Sequence, residues 1–209
     1  MNTRENIVLK YPLRWLRFKN MSTRVILNRP RKSLVVVLVP RKPELPSSTI
    51  NSSPELWDVV LVKMSKLNLP GGDILCGSER EDPFDAACRE LQEETLSIFD
   101  SGPNISNIDM RDFGVDFYYT VSEIHYPVRV FLATVSYDIK ENLDYINSLY
   151  KERPNGETFG IKLVSLADLI AYVRRRKNKT INQTSFTDGK FKKNNLSQRV
   201  FGAIQAIFL

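Results

Sequence analysis

The pattern of apolar and polar positions predicts two buried strands in the first third of the chain. The run 33–40, "SLVVVLVP", is continuously apolar, rich in β-branched residues and closed by proline, which is typical of a buried strand. The segment 57–70, "WDVVLVKMSKLNLP", predicts a second strand region that ends at Pro70. Pro, Ser and Asn are concentrated in residues 41–56, which predicts a surface connection between the two strands.

Helical spacing begins after residue 82. Apolar or small residues recur at 84, 87, 88, 91 and 95, so we expect a helix with Asp82 as its N-cap and Pro83 at its first position. Further along the chain, the pattern predicts a strand pair at 116–124 and 127–138, with a turn near 125–127, and a strand at 161–166. It also predicts a helix at 165–177 that is capped by Ser165. A polar loop at 177–195 and an amphipathic helix at 196–209, docked on the core, complete the predicted elements.

Composition and charge narrow the class of protein. The chain has 209 residues and a net charge of +6, with no apolar run of membrane-spanning length and no signal-like start, so we expect one soluble intracellular domain of the cytoplasm or nucleus. Its two cysteines, Cys76 and Cys88, and its one histidine, His125, argue against a disulfide framework or a zinc site. Residues 46–173 carry 10 Lys/Arg against 21 acidic residues, whereas residues 1–45 carry 11 against 2 and residues 174–209 carry 9 against 1.

Three glutamates lie on one face of the helix predicted after Asp82. Glu90, Glu93 and Glu94 stand at i, i+3 and i+4, a spacing at which like charges oppose helix formation. Arg89 can pair with one of them, and a hard divalent cation such as Mg²⁺, which prefers carboxylate and phosphate oxygens, can neutralise the rest. The spacing alone leaves a solvated acidic face as the alternative.

The residues around these glutamates resemble the signature of the Nudix hydrolases, G-x5-E-x7-R-E-U-x-E-E-x-G-U. The match comprises "PGG" at 70–72, Glu81 eight positions before Arg89, and "RELQEE" at 89–94. Eight residues separate Gly72 from Glu81 where the family has five, which indicates a three-residue insertion. Leu96 stands where the family has its last glycine, and because that glycine serves the left-handed turn after a helix, we expect a longer or differently ended helix.

The resemblance implies an α+β Nudix fold, with a mixed sheet sandwiched between helices, over residues 24–175. Residues 1–23 would form a basic N-terminal extension, and residues 176–209 a basic loop with a helix packed on the domain. It also implies a pyrophosphohydrolase, an enzyme that cleaves a phosphoanhydride bond in a nucleoside diphosphate linked to a group X, with Mg²⁺ or Mn²⁺ as cofactor. The expected metal ligands are Glu90, Glu94 and the Gly71 carbonyl. Glu93 is expected to be a further ligand or the catalytic base, and Glu157 is the alternative base. Arg89 is expected to orient residues at the catalytic centre, and Glu81 and Gly72 are expected to support the site.

The basic flanks favour a polyanionic substrate. A capped or triphosphorylated RNA 5′ end carries a backbone that Lys and Arg can bind by counterion release, so decapping is the favoured activity, and ADP-ribose or another small nucleotide is the alternative. A catalytically silent RNA-binding module is a third interpretation, and neither a membrane nor a protein partner is inferred. The residues expected to bind RNA or phosphate are Arg174, Arg175, Arg176, Lys177, Lys192 and Lys193, with a second basic set in the N-terminal region.

Overall fold

The fold is that of a computed structural model, which describes residues 30–76, 81–96, 98, 109–121, 124–135, 137–152, 157–178 and 196–209. For residues 109–126 and 176–178 within these ranges, only the backbone is considered. The strands are β1 (Lys32–Pro40), β2 (Trp57–Lys63), β3 (Leu67–Asn68), β4 (Gly71–Asp73), β5 (Asp109–Val121), β6 (Ile124–Thr134) and β7 (Ile161–Ser165). The helices are α1 (Pro83–Glu94), α2 (Asp138–Glu141), α3 (Leu143–Glu152), α4 (Leu166–Asn178) and α5 (Gln198–Phe208).

The described strands form one mixed sheet around β1. The strand order is β3-β2-β1-β6-β5, with β4 also paired to β1 and β7 to β2. β1 runs parallel to β6 and antiparallel to β2 and β4. β4 pairs with the first residues of β1, and β2 pairs with the last residues of β1. We call the two opposite ends of the sheet the Gly71 end, after the first residue of β4, and the Arg41 end, where Arg41 forms an ion pair with Asp58.

Helices cover both faces of this sheet. Val35, Val37 and Val39 of β1 face a core that includes residues of α1 and α3, whereas Val36 and Leu38 face a core that includes residues of α4 and α5. A strand buried on both faces has no polar side to present, which is why β1 is continuously apolar. The expected α+β architecture, a mixed sheet between layers of helices, is therefore confirmed.

Helix α1 begins where the sequence predicts and ends differently. Asp82 is the N-cap, with its side chain accepting from the Phe84 N–H at 2.8 Å, and Pro83 is the first helical residue. The helix ends at Glu94, and Leu96 takes a φ of +54° in the turn that follows. The expectation of a longer or differently ended helix is wrong, because Leu96 itself adopts the left-handed conformation for which the family uses glycine, and its side chain packs against the core.

One other prediction needs correction, and two helices were missed. The strand pair is present, but β6 already begins at Ile124, so the turn precedes residues 125–127. The Pro127 carbonyl accepts from the Arg31 N–H. Because the nitrogen and carbonyl of a strand residue point to the same side, the Pro127 nitrogen also faces the start of β1, and no hydrogen bond to β5 is lost. Helices α2 and α3 were not predicted, although Leu143, Ile146 and Tyr150 of α3 have helical spacing and the last two are buried.

The last two helices form as predicted. Ser165 caps α4, with its hydroxyl accepting from the Asp168 N–H at 3.3 Å, and α5 buries Val200, Ala203 and Ile204. No helix among the described residues is both long and apolar enough to span a bilayer. The proposed division at residues 23 and 175 stays a prediction, because residues 1–29 and 179–195 lie outside the described ranges.

Candidate metal and catalytic site

Two adjacent glycines hold two glutamates of α1 against the sheet. The Gly71 N–H donates to Oε2 of Glu94 at 2.9 Å. A Cβ on Gly72 would lie 2.3 Å from the Glu90 carboxylate, and a Cβ on Gly71 would lie 2.2 Å from the Ser33 carbonyl oxygen. Both positions therefore need glycine, Gly72 for the approach of a side chain and Gly71 for the approach of the neighbouring strand.

Anchors at both ends of α1 fix this approach. At its start, the Ser33 hydroxyl of β1 donates to the Pro83 carbonyl at 2.7 Å. At its end, the Tyr150 hydroxyl of α3 donates to the Glu94 carbonyl at 2.9 Å. Between these anchors, Ala86 and Ala87 are fully buried, and their small side chains let the helix lie close to the strands. The carboxylates are thus placed by packing that extends along the whole helix.

Arg89 is engaged by protein groups at each of its three nitrogens. Nε and Nη2 donate to the two carboxylate oxygens of Glu81 at 2.9 and 3.0 Å, and Nη2 also donates to the Asp73 carbonyl at 2.9 Å. Nη1 donates to Glu90 at 2.7 Å and to Glu93 at 3.4 Å. The hydrogen bonds that Arg89 donates to Glu81 are the main cause of the raised pKa of Arg89. The guanidinium therefore orients the carboxylates around it.

Glu81 closes the loop that leads from β4 to α1. Its backbone N–H donates to the Leu75 carbonyl at 3.2 Å, and its Oε2 accepts from the Leu75 N–H at 2.9 Å. The loop in which the three-residue insertion is predicted runs between these two residues, and its residues 77–80 are outside the described part of the chain. Because Leu75 and Glu81 are bonded directly, the extra residues leave the pairing of Glu81 with Arg89 intact.

Glu94 is a buried carboxylate among negative charges. Only 8% of the residue is exposed, and burial is the main cause that raises its pKa to about 7. The charges of Glu90 and Glu157 raise this pKa further, whereas the Gly71 hydrogen bond and the charge of Arg199 lower it. A cation placed beside Glu94 would favour the ionised form that burial now opposes.

The donor set fits a divalent cation that shares its coordination with substrate. Among the residues described, no three Asp, Glu, His or Cys side chains form a closed metal site. Glu93 lies on the Arg89 side of the helix with 60% of its side chain exposed, so the cradle formed by Gly71 and Gly72 holds Glu90 and Glu94 alone. Two carboxylates suffice for Mg²⁺, which keeps several waters and takes further oxygens from bound phosphates.

Glu157 interacts electrostatically with Glu94. The two residues that follow the buried Thr158 are fixed to β2: the Phe159 N–H donates to the Lys63 carbonyl, and the Lys63 N–H donates to the Gly160 carbonyl, both at 2.7 Å. The charge of Glu157 thus influences Glu94 from a position 63 residues further along the sequence, and its role as a base stays a prediction.

The predicted RNA-binding residues are only partly described. Arg174 and Arg175 are exposed in the last part of α4. Tyr172 of α4 contacts Phe201 of α5, with 5.4 Å between ring centroids, so this part of α4 lies beside the first turn of α5. The side chains of Arg176 and Lys177 are not described, and Lys192 and Lys193 lie outside the described residues.

Arg199, in the first turn of α5, was not predicted from the sequence as a site residue. The charge of this residue acts on Glu94 across 105 positions of sequence. One signal was available: Arg199 is the only charged residue in the segment 198–209.

Comparisons with known proteins find similarity to solved structures. No family model and no curated protein matches the chain. Among solved structures, it resembles a NUDIX-family hydrolase from Clostridium perfringens, with 16% identity over 87% of this chain and 97% of the other at a TM-score of 0.41. It also resembles an Ap4A hydrolase from C. elegans (16% identity, 68% and 85% covered, TM-score 0.39) and a NUDIX hydrolase from Nitrosomonas europaea (18%, 73% and 82%, 0.38). Each TM-score lies below 0.5, so the function is inferred from the site's own residues.

Proposed function

We propose that this chain is a Nudix-type pyrophosphohydrolase that cleaves a nucleoside diphosphate linked to a group X with the help of Mg²⁺ or Mn²⁺. The observation that carries the proposal is the cradle at Gly71 and Gly72, where Glu94 is hydrogen-bonded to Gly71 and Glu90 lies against Gly72. A buried carboxylate with a pKa near 7 beside other carboxylates is poorly placed for stability alone and well placed to hold a cation.

The roles follow from the chemistry of a diphosphate. The cation offsets the negative charge of the phosphates and activates water when it is bound. Glu90 and Glu94 would hold it, with the Gly71 carbonyl as a further ligand. Arg89, fixed by Glu81, orients Glu90 and Glu93. Glu93 and Glu157 are the two candidates for the base that accepts a proton from the attacking water.

The favoured group X is the 5′ end of an RNA. Arg174 and Arg175 are exposed in α4, which contacts α5 through Tyr172 and Phe201, and the charge of Arg199 in α5 acts on Glu94. We infer from these arginines an extension of positive charge from the acidic site along α4. A small nucleotide needs no such extension, whereas the backbone of an RNA would follow it and release counterions.

A substrate panel tests both parts of the proposal. Capped RNA, free cap analogue, ADP-ribose, a dinucleoside polyphosphate and a nucleoside triphosphate are compared at matched Mg²⁺ or Mn²⁺ and salt, and the phosphorylated products are identified. We expect a methylated nucleoside diphosphate from capped RNA and little product from the free cap. Equal cleavage of both would overturn the RNA preference and keep the hydrolase.

The catalytic assignment needs a matched pair of variants. Glu93→Gln should reduce turnover by about 100-fold or more, as expected for a residue that positions or deprotonates the attacking water, and should leave RNA retention on a filter unchanged. Glu141→Gln, an exposed glutamate of α2, should turn over substrate like the unmodified protein. If the unmodified protein retains RNA but cleaves nothing in the panel, the chain is an RNA-binding module and the hydrolase proposal is wrong.

A further inference from the structure

One face of helix α3 contacts both the start of β7 and the end of α1. Oδ1 of Asn147 accepts from the N–H of Ile161, the first residue of β7, at 2.9 Å. One turn further along α3, the Tyr150 hydroxyl donates to the carbonyl of Glu94, the last residue of α1, at 2.9 Å. Residues three apart in a helix lie on the same face. Helix α3 therefore links the segment 157–161 to the end of the helix that carries the acidic site.

The backbone beside Asn147 permits a close contact with its side chain. A Cβ on Gly160 would lie 2.4 Å from Oδ1 of Asn147, and the φ of Gly160 is +142°, so glycine is required at this position. Nδ2 of Asn147 donates to the Leu143 carbonyl, one turn earlier in α3, at 3.0 Å. Because both ends of the amide are hydrogen-bonded, the side chain is held with its oxygen towards Ile161.

Packing does not require an asparagine at position 147. Helix α3 packs on the core through Ile146 and Tyr150, and apolar side chains are usual on the face that a helix buries. Asparagine has a lower helix propensity than leucine or alanine, and its half-buried amide needs hydrogen-bond partners. The bond to the Ile161 N–H gives this asparagine a role beyond packing.

Two kinds of contact fix the segment 157–161. The Phe159 N–H donates to the Lys63 carbonyl at 2.7 Å, and β7 pairs with β2. These bonds place the segment in the sheet. The Asn147 bond places it relative to α3 and, through the Tyr150 hydroxyl, relative to the end of α1.

We propose that Asn147 is a positioning residue of the acidic site, which holds the segment 157–161, and with it Glu157, in a fixed place relative to the end of α1. The inference rests on the proposed function, in which Glu157 is a candidate for the base, and adds a residue to it. The charges of Glu157 and Glu94 interact, which agrees with this arrangement. A displacement of about 1 Å in a reacting group can reduce turnover by about 100-fold, so loss of the Asn147 side chain should lower kcat and leave KM nearly unchanged.

The competing role for Asn147 is to stabilise the fold alone, and a matched variant separates the two roles. Nδ2 of Asn142 donates to the Asp138 carbonyl at 2.9 Å, the same bond to the carbonyl four residues earlier that Asn147 makes, but the Asn142 side chain does not bond to β7. Asn142→Ala is therefore the control for Asn147→Ala. Asn147→Asp keeps an oxygen that can accept from the Ile161 N–H, so it should recover part of the lost turnover.

Two measurements are made on each variant. Amide hydrogen exchange of the metal-free chain, read from the peptide that contains Ile161, reports the hold of Asn147. We expect this exchange to be about fivefold faster in Asn147→Ala and unchanged in Asn142→Ala. Steady-state hydrolysis of capped RNA and of ADP-ribose with Mg²⁺ reports the catalytic effect. We expect kcat to be about tenfold or more lower in Asn147→Ala, with KM within twofold, and both constants to be unchanged in Asn142→Ala.

Each outcome of this comparison decides one point. Unchanged exchange at Ile161 in Asn147→Ala would overturn the inference, whatever the turnover, and so would faster exchange with kcat within twofold or with a change confined to KM. If the unmodified chain hydrolyses neither substrate while Asn147→Ala alone speeds the exchange, the proposed function fails and the hold of Asn147 on the segment stands. Thermal melting identifies any variant that is unfolded. If Asn147→Ala is unfolded, Asn147→Ser, whose side chain is one atom shorter than that of asparagine, replaces it.

Discussion

The guanidinium of Arg89 binds both carboxylate oxygens of Glu81, with Nε to Oε1 at 2.9 Å and Nη2 to Oε2 at 3.0 Å. The same guanidinium reaches the Asp73 carbonyl of β4 and the Glu90 carboxylate of α1. This contact therefore joins the strand, the loop and the helix that form the acidic site. An Arg89 held in this way determines where the Glu90 carboxylate lies.

Loss of the Glu81 carboxylate should reduce both stability and activity. Arg89 lowers the pKa of Glu81 below its ordinary value, so this carboxylate stabilises the fold above its unfolded pKa of 4.5, and the contribution is lost as pH falls through the lower, folded pKa. We expect Glu81→Gln to lower the free energy of unfolding by about 1 kcal/mol at pH 7 and turnover by about tenfold. Urea unfolding at pH 7 and pH 3.5 measures the first effect.

A double-mutant cycle assigns the effect to the pair. Arg89→Lys removes the fork, and the combined variant should cost less than the two single changes together. If the cycle is additive, Glu81 acts on stability through its bond to Leu75 and not through Arg89. Glu141→Gln, with the same change of charge on an exposed residue, should shift neither unfolding nor turnover.

The two glycines of the cradle should respond differently to alanine. On Gly71, a Cβ would meet the backbone of Ser33 and Leu34, and its φ is +140°, so Gly71→Ala should destabilise the fold by ~3 kcal/mol or more. On Gly72, a Cβ would meet only the end of the Glu90 side chain, which can rotate away. Gly72→Ala should keep most of its stability and lose about tenfold or more in turnover.

Melting temperature and kcat/KM, measured on the same preparations, separate the two effects. The expected pattern is a low melting temperature for Gly71→Ala and a weak activity with near-normal melting for Gly72→Ala. A Gly72→Ala variant with full activity would show that the place of Glu90 beside β4 is unimportant for the reaction.

Local sequence predicted the parts of the site that are local in structure. The Asp82 cap, Pro83 and the spacing of Glu90, Glu93 and Glu94 define α1 and its acidic side, because capping and helical period act over a few residues. The different environments of Glu93 and Glu94 were not predicted. They depend on where β4 lies, since the Gly71 N–H binds Glu94 whereas Glu93 faces Arg89 and solvent.

Contacts between distant segments could not be predicted. The charge of Arg199 acts on Glu94 from a helix whose N-cap residue, Ser197, is hydrogen-bonded to Leu67 and Asn68. These residues are about 130 positions apart, and their contact leaves no periodic signal in the sequence. Leu96 is a different case. Its left-handed φ of +54° contradicts residue propensity, and the contacts of its side chain with the core offset that cost.

The arginines of α4 should matter for RNA and not for small nucleotides. Arg174 and Arg175 are exposed in α4, which contacts α5 through Tyr172 and Phe201, and a trailing RNA backbone is proposed to pass along this surface. We expect the double variant Arg174→Ala and Arg175→Ala to weaken cleavage of capped RNA about tenfold at low salt and to reduce the dependence of log KM on log salt by about two units of slope. Cleavage of free cap analogue should not change, and an equal loss on both substrates would contradict an RNA contact.

Glu94 should make the stability of the metal-free chain fall as pH rises. Its folded pKa is about 7 and its ordinary value is 4.5, so between these values the folded state binds its proton more tightly than the unfolded state does. The free energy of unfolding should therefore decrease from about pH 4.5 to about pH 7, by up to ~3 kcal/mol. Mg²⁺ should reduce this decrease because it favours the ionised carboxylate, and its affinity should rise with pH over the same window.

Glu94→Gln tests this prediction directly. The amide oxygen of glutamine can still accept the Gly71 N–H and carries no charge, so the variant should unfold at higher urea than the unmodified chain at pH 8 in EDTA. It should also lose about 100-fold or more of its turnover, as expected when a ligand is removed, and gain no stability from Mg²⁺. Urea midpoints at pH 5, 6, 7 and 8, with and without Mg²⁺, give the comparison. Parallel pH profiles for the two proteins in EDTA would show that the raised pKa of Glu94 is incorrect.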